Sequence, residues 1–97
     1  MLSKVKILKI IQQNTDDIKM YGVRKLGIFG SFANARQTSK SDIDVLVEFN
    51  RDNKTFDNYM DLKFYLENLF HRKIDLVMRG SLKTRIKEQI LSEIEYA

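Results

Sequence analysis

The stretch Asp42-Ile43-Asp44-Val45-Leu46-Val47-Glu48-Phe49 alternates polar and apolar residues at its start and becomes continuously apolar in its middle. Alternation predicts a β-strand, and a continuous apolar run predicts a strand that is covered on both faces. Because successive side chains of a strand point to opposite faces, Asp42 and Asp44 are expected on the same face. We therefore predict a central strand that carries two neighbouring carboxylates.

A third carboxylate occurs in a second apolar stretch. Residues 73–78 predict a short strand, and Asp75 lies within it between two apolar neighbours. If the two strands are adjacent, Asp42, Asp44 and Asp75 converge on one face of one sheet, where their mutual repulsion calls for a cation. Such a cluster suits one or two magnesium ions, which take few carboxylates and keep sites for water and phosphate oxygens. Each aspartate alone is better explained as a solvated strand end or a helix cap, so the prediction rests on the combination.

The dipeptide Gly30-Ser31 follows another predicted strand, residues 23–29. Glycine lets the backbone approach a ligand closely, and residues 31–35 are predicted to begin a helix whose free N–H groups point at an anion. The sequence therefore predicts a phosphate-binding turn at Gly30 and Ser31. A Gly-Ser turn after a strand is common, so this signal is weak by itself.

The remaining elements are helices. Ser3 is predicted to cap a first helix, Asn14 a second that ends at Gly22, and Ser81 a last helix with Ile86, Ile90 and Ile94 on its buried side. A further helix follows the loop at residues 50–54. Helices that separate strands predict an α/β fold: a mixed sheet of three to four strands flanked by helices, in a single domain spanning residues 1–97.

The composition of the chain excludes several kinds of site and partner. The chain of 97 residues has no cysteine and one histidine, His71, so thiolate metal sites are excluded and His71 is expected to be an exposed or capping residue. No apolar run approaches the roughly 20 residues that cross a bilayer, and we expect a cytoplasmic protein. The net charge of +4 is scattered, which favours mild steering toward phosphates and argues against a nucleic-acid-binding track.

The segments Gly30-Ser31-Phe32-Ala33 and Ser41-Asp42-Ile43-Asp44 resemble the signature of the nucleotidyltransferase superfamily that includes DNA polymerase beta. They are most similar to the minimal nucleotidyltransferases. The resemblance implies that Gly30 and Ser31 bind the triphosphate of ATP, that Asp42, Asp44 and Asp75 bind magnesium, and that Asp75 is the third carboxylate.

The resemblance also implies a biological role. It suggests transfer of AMP from ATP to a tyrosine hydroxyl of a HEPN-type toxin, with this chain acting as the antitoxin. One departure from the pattern stands out: many members have Arg-Gly after the position of Ala33, where this chain has Asn34-Ala35. The resemblance alone does not fix the path of that loop.

Several alternatives stay open at the level of sequence. The chain could be a catalytically weak or inactive antitoxin that neutralises its partner by binding. Transfer of a nucleotide to a small molecule would need a pocket that a chain of this length builds by dimerising, so a homodimer is possible. Tailing of nucleic acid would need a basic track, which the sequence lacks. Motifs of P-loop hydrolases, zinc proteases and serine hydrolases are also missing.

Overall fold

A computed structural model of the chain describes residues 2–97. Its strands and helices follow one another in the order that the sequence predicts, with one further short strand at the end. They are α1 (Lys4–Gln13), α2 (Thr15–Lys19), β1 (Val23–Phe29), α3 (Gly30–Ala33), β2 (Ile43–Phe49), α4 (Phe56–Phe70), β3 (Ile74–Met78), a 3-10 turn (Arg79–Ser81), α5 (Thr84–Glu93) and β4 (Glu95–Tyr96).

The four strands form one mixed sheet in the order β3-β2-β1-β4. Strand β2 pairs antiparallel with β1 and parallel with β3, while β4 adds antiparallel to the outer side of β1. The central place of β2 explains its continuous apolar run, since Val45, Leu46 and Val47 are all buried. The predicted α/β fold with a mixed sheet and flanking helices is confirmed.

The two faces of the sheet are covered unequally. Side chains of α1, α2 and α4 pack on one face and form the larger apolar cluster, which includes Ile7, Ile18 and Leu66. On the other face a smaller cluster joins Phe29 and Leu46 to Ile90 of α5. Because α5 is the main cover of this second face, part of it remains open to solvent.

Local signals account for several element boundaries. The Ser3 side chain accepts a hydrogen bond from the Lys6 amide at 3.3 Å, as expected of an N-cap. His71 ends α4 as an exposed C-cap residue in the left-handed region (φ 51°), in agreement with the capping role expected for it. Gly22, at φ 78°, reverses the chain between α2 and β1.

Other expectations about the helices are met only in part. The helix after Gly30-Ser31 is a single turn that ends at Ala33, since Ala35 takes a left-handed conformation (φ 55°) that an α-helix does not continue through. Ser81 lies in the 3-10 turn, and Lys83 occupies the N-cap of α5. On α5, Ile90 is buried as predicted, but Ile86 is half exposed and Ile94 lies beyond the helix end.

No helix within residues 2–97 is long and apolar enough to cross a membrane.

Candidate active site

Asp44 and Asp75 lie side by side on neighbouring strands. The parallel register of β2 and β3 pairs Asp44 with Asp75 directly, so the two side chains project from the same face of the sheet. That face is the partly open one, because Asp44 alternates with the buried Val45 and Asp75 with the buried Leu76, both of which belong to the larger apolar cluster on the opposite face. The condition set by the sequence, that the two aspartate-bearing strands be neighbours, is met.

The predicted phosphate-binding turn lies directly beside this pair. On β1, Phe29 is the register partner of Asp44, and the chain turns into α3 at the next residue, Gly30. Gly30 has a positive φ of 70°, and a Cβ placed on it would overlap Oδ2 of the Asp44 carboxylate and lie 3.0 Å from its Cγ. Glycine is therefore required both by the backbone conformation and by the close approach of the carboxylate. The structure thus brings Gly30, the first residue of the predicted turn, against Asp44.

Asp42 stands at the rim of the site. It was predicted to be the first residue of the strand, but β2 begins one residue later, at Ile43, and the Asp42 side chain is exposed. Within the part of the chain that is described, residues 2–97, no three carboxylate, imidazole or thiolate groups are gathered closely enough to hold an ion as they stand. Two carboxylates form the centre of the cluster, and the third borders it.

The electrostatics of Asp44 reflect both its burial and the acidic groups around it. Its pKa is raised from 3.8 to about 6, first because burial penalises the charged form, and then because of the field of Asp75 and a hydrogen bond to its carboxyl group. The fields of Asp42 and Glu93 add to the shift. Mutual repulsion of this kind is relieved by a divalent cation, and the donors are all carboxylate oxygens, the ligands that magnesium prefers. The residues therefore fit magnesium.

Glu93, a fourth acidic residue beside the site, was not predicted from the sequence. It is the last residue of α5, and its carboxylate Oε2 accepts a hydrogen bond of 2.9 Å from the side-chain amide of Asn34. Asn34 is one of the two residues that depart from the family pattern. The contact joins positions 59 residues apart in the chain, and no local pattern signals such a pairing.

Comparison with known proteins identifies the family. Residues 5–97 match the sequence profile of the nucleotidyltransferase domain family. The chain belongs to this family. A curated relative, the protein adenylyltransferase MntA of Thermococcus cleftensis, is 34% identical over 97 residues, which cover 99% of this chain and 97% of the relative.

Solved structures agree with this assignment. A structure provisionally named a minimal nucleotidyltransferase superposes with a TM-score of 0.83 at 26% identity and covers 97% of this chain and 95% of its own. A toxin–antitoxin structure with AMP-PNP shares the fold at a TM-score of 0.69 and 24% identity, over 98% of this chain and 72% of that one. The nucleotidyltransferase resemblance seen in the sequence is confirmed, and with it the assignment of the chain as a nucleotidyltransferase.

Proposed function

We propose that this nucleotidyltransferase is a magnesium-dependent protein adenylyltransferase that transfers AMP from ATP to a tyrosine hydroxyl of a HEPN-type toxin, and thereby acts as an antitoxin. The observation that carries the proposal is the placement of Gly30 against Asp44, with Asp75 in register beside it. A phosphate-binding turn that contacts a pair of carboxylates suits the transfer of a nucleotidyl group from a nucleoside triphosphate to a hydroxyl. The protein adenylyltransferase name of the relative at 34% identity supports the choice of AMP and of a protein acceptor.

Each residue has a distinct part in the proposed reaction. Gly30 and Ser31 hold the triphosphate, and the missing side chain of Gly30 leaves room for the Asp44 carboxylate beside this turn. Asp42, Asp44 and Asp75 would hold magnesium, which when bound neutralises the triphosphate charge and lowers the pKa of the acceptor hydroxyl. Asp75 orients that hydroxyl and receives its proton.

The bonds exchanged follow from this arrangement. The acceptor oxygen forms a bond to the α-phosphorus of ATP while the bond from that phosphorus to the pyrophosphate oxygen breaks. Pyrophosphate leaves with the bonding electron pair, and the hydroxyl proton passes to the Asp75 carboxylate. Most of the rate enhancement comes from positioning and charge neutralisation, as in phosphoryl transfer generally.

The position of Asp75 favours a macromolecular acceptor. Strand β3 lies at the edge of the sheet, and the Asp75 side chain is exposed. A tyrosine on the surface of another protein can reach a carboxylate at an exposed sheet edge without entering a deep pocket. A solved complex of a HEPN toxin with an MNT antitoxin, which contains this fold, supports a HEPN-type partner.

The test is intact-mass analysis of the HEPN-type partner after incubation with this chain, magnesium and each nucleoside triphosphate in turn. We expect the partner to gain the mass of one or more AMP groups with ATP. The gain should be lost with Asp42→Ala/Asp44→Ala and with Asp75→Asn, and kept with Asp61→Asn, a change to an exposed aspartate on α4.

Complex formation is measured in the same samples by size-exclusion chromatography. A stable complex whose partner never gains mass, and whose toxicity is still suppressed by the Asp42→Ala/Asp44→Ala variant, would replace the enzyme with a binding antitoxin. Mass gain on the chain itself or on a small molecule would redirect the proposal to another acceptor.

A further inference from the structure

Arg72 reaches from the turn between α4 and β3 to the loop that precedes the first aspartate of the site. Its guanidinium Nη1 lies 2.8 Å from the carbonyl oxygen of Ser41, 3.4 Å from that of Ser39 and 3.5 Å from that of Thr38. A single side chain therefore donates to three carbonyl groups of one loop. Ser41 is the residue directly before Asp42.

The same guanidinium lies over the ring of Phe32, with 5.3 Å between the Arg72 Cζ atom and the ring centroid. Phe32 is fully buried in α3, where it follows Gly30 and Ser31 directly. A cation over an aromatic face is attracted by the ring, and the planar guanidinium is well suited to stacking there. Arg72 thus contacts both segments of the proposed site, the phosphate-binding turn and the loop before Asp42.

Backbone hydrogen bonds fix the two ends of this loop, from the Arg36 amide to the Ser31 carbonyl and from the Ile43 amide to the Lys73 carbonyl. Between these ends the loop has few other means of keeping its shape. Residues 38–40 are exposed, so burial of apolar side chains does not fix them. Within the loop, the Ser41 amide donates to the Thr38 carbonyl and the Thr38 amide to the Ser41 hydroxyl. Among the hydrogen bonds of residues 2–97, those that join residues 37–40 to the chain beyond position 43 all come from Arg72.

We infer that Arg72 is a positioning residue: it holds the 36–41 loop against α3 and so sets the position of Asp42 relative to Gly30 and Ser31. The inference rests on the proposed function for its catalytic consequence, though not for its structural one. Lysine can replace arginine only in part, because an ammonium group keeps the charge but lacks the planar fork of donors and the flat face that lies over Phe32.

The first experiment measures amide hydrogen exchange in the full chain without metal or nucleotide. In Arg72→Ala, and to a smaller extent in Arg72→Lys, we expect faster exchange at the Ser41 amide and its loop neighbours, while the β1 amides keep their wild-type rates. The matched control is Arg51→Ala, which removes the same charge from an exposed residue after the opposite end of β2. Faster exchange throughout the chain would show general destabilisation and would overturn the inference.

The second experiment measures transfer of AMP to the partner as a function of magnesium and ATP concentration, at a temperature where all variants remain folded. Removal of groups that orient metal ligands commonly costs about 10–100-fold in metal affinity or activity, so we expect Arg72→Ala to raise the apparent magnesium requirement about tenfold. Arg72→Lys should fall between Arg72→Ala and the wild type. Magnesium dependence equal to that of Arg51→Ala would refute the positioning role.

The two experiments separate failure of the inference from failure of the proposed function. If the wild type transfers no AMP to any partner, the proposed function fails, while local loss of exchange protection in Arg72→Ala still supports the structural role. If the wild type is active and Arg72→Ala exchanges and reacts as the wild type does, Arg72 is a surface residue without influence on the site.

Discussion

Replacing Asp44 by asparagine should stabilise the metal-free protein at neutral pH while abolishing its reaction. The pKa of Asp44 is raised from 3.8 to about 6 by burial and by Asp75, Asp42 and Glu93. At full strength that shift corresponds to about 3 kcal/mol. Because the side chain is only half-buried, solvent screening reduces the expected gain to about 1 kcal/mol.

The sign of the pH dependence follows from the raised value. A carboxyl group whose pKa is higher in the folded state favours folding when protonated, and this contribution is lost as the pH rises through about 6. The wild type should therefore lose stability relative to Asp44→Asn between about pH 4 and 7, and the difference should level off above that range.

The assay is thermal unfolding in the presence of a chelator across this pH range. A gain of about 1 kcal/mol corresponds to a rise in Tm of about 4–8 °C for a chain of this size. Asp61→Asn, on the exposed side of α4, is the control and should show no such pH-dependent difference. Magnesium should raise the Tm of the wild type and leave that of Asp44→Asn unchanged.

Two outcomes would refute the reasoning. If Asp44→Asn were less stable than the wild type at neutral pH without metal, the carboxylate would be stabilised in the fold by a favourable partner. If the stabilities of the wild type and of Asp44→Asn changed in parallel with pH, the surroundings of Asp44 would not affect its ionisation. Either result would remove the electrostatic argument for a cation at this position.

Further predictions concern the turn that borders the aspartates. Ala35→Gly should stabilise the protein by about 1 kcal/mol in urea unfolding, because alanine is strained at φ 55°, whereas the control Ala33→Gly in α3 should destabilise it. Gly30→Ala should cost more than about 1 kcal/mol and abolish the rise in Tm caused by magnesium and AMP-PNP, since the added methyl group overlaps the Asp44 carboxylate at a positive φ. Gly80→Ala is the control, because the added Cβ meets only the end of a flexible lysine side chain at 3.1 Å, and little change in stability is expected. An equal loss of stability in Gly30→Ala and Gly80→Ala would contradict the steric explanation.

The central part of the fold could be predicted from the sequence because local patterns determine it. Strand β1 has the predicted bounds, and the apolar run of β2 reflects its place between two other strands. Side chains of a strand alternate between its two faces, so Asp44 and Asp75 lie on a common face because their strands are neighbours in this register. The bounds of β1 and the face on which each aspartate lies follow from residue types at short spacing, so the sequence alone was enough to predict them.

Long-range contacts could not be predicted in the same way. Strand β4 has two residues, too few for a periodic pattern, and it forms because Gly27 leaves room for Ile94 and the end of the chain to approach β1. Ile86 was assigned to the core from its spacing, yet α5 covers only part of the sheet and leaves this side chain half exposed. The contacts of Arg72 and Glu93 with the loop around the site likewise depend on how distant segments fold together.

The departure at Asn34-Ala35 bears on whether the chain is an enzyme or only a binding protein. Ala35 takes the left-handed conformation in which glycine is favoured, so the loop follows a path suited to the Arg-Gly pattern although the glycine itself is absent. The side-chain amide of Asn34 donates a hydrogen bond of 2.9 Å to the Glu93 carboxylate. This bond joins the end of α3 to α5 beside the aspartates. If the substituted residues had kept neither the backbone path nor a polar contact, this would have favoured a binding protein whose site is no longer active. The left-handed conformation of Ala35 and the Asn34–Glu93 contact therefore favour the proposed enzyme over a binding protein, since both keep the predicted phosphate-binding turn in a defined position.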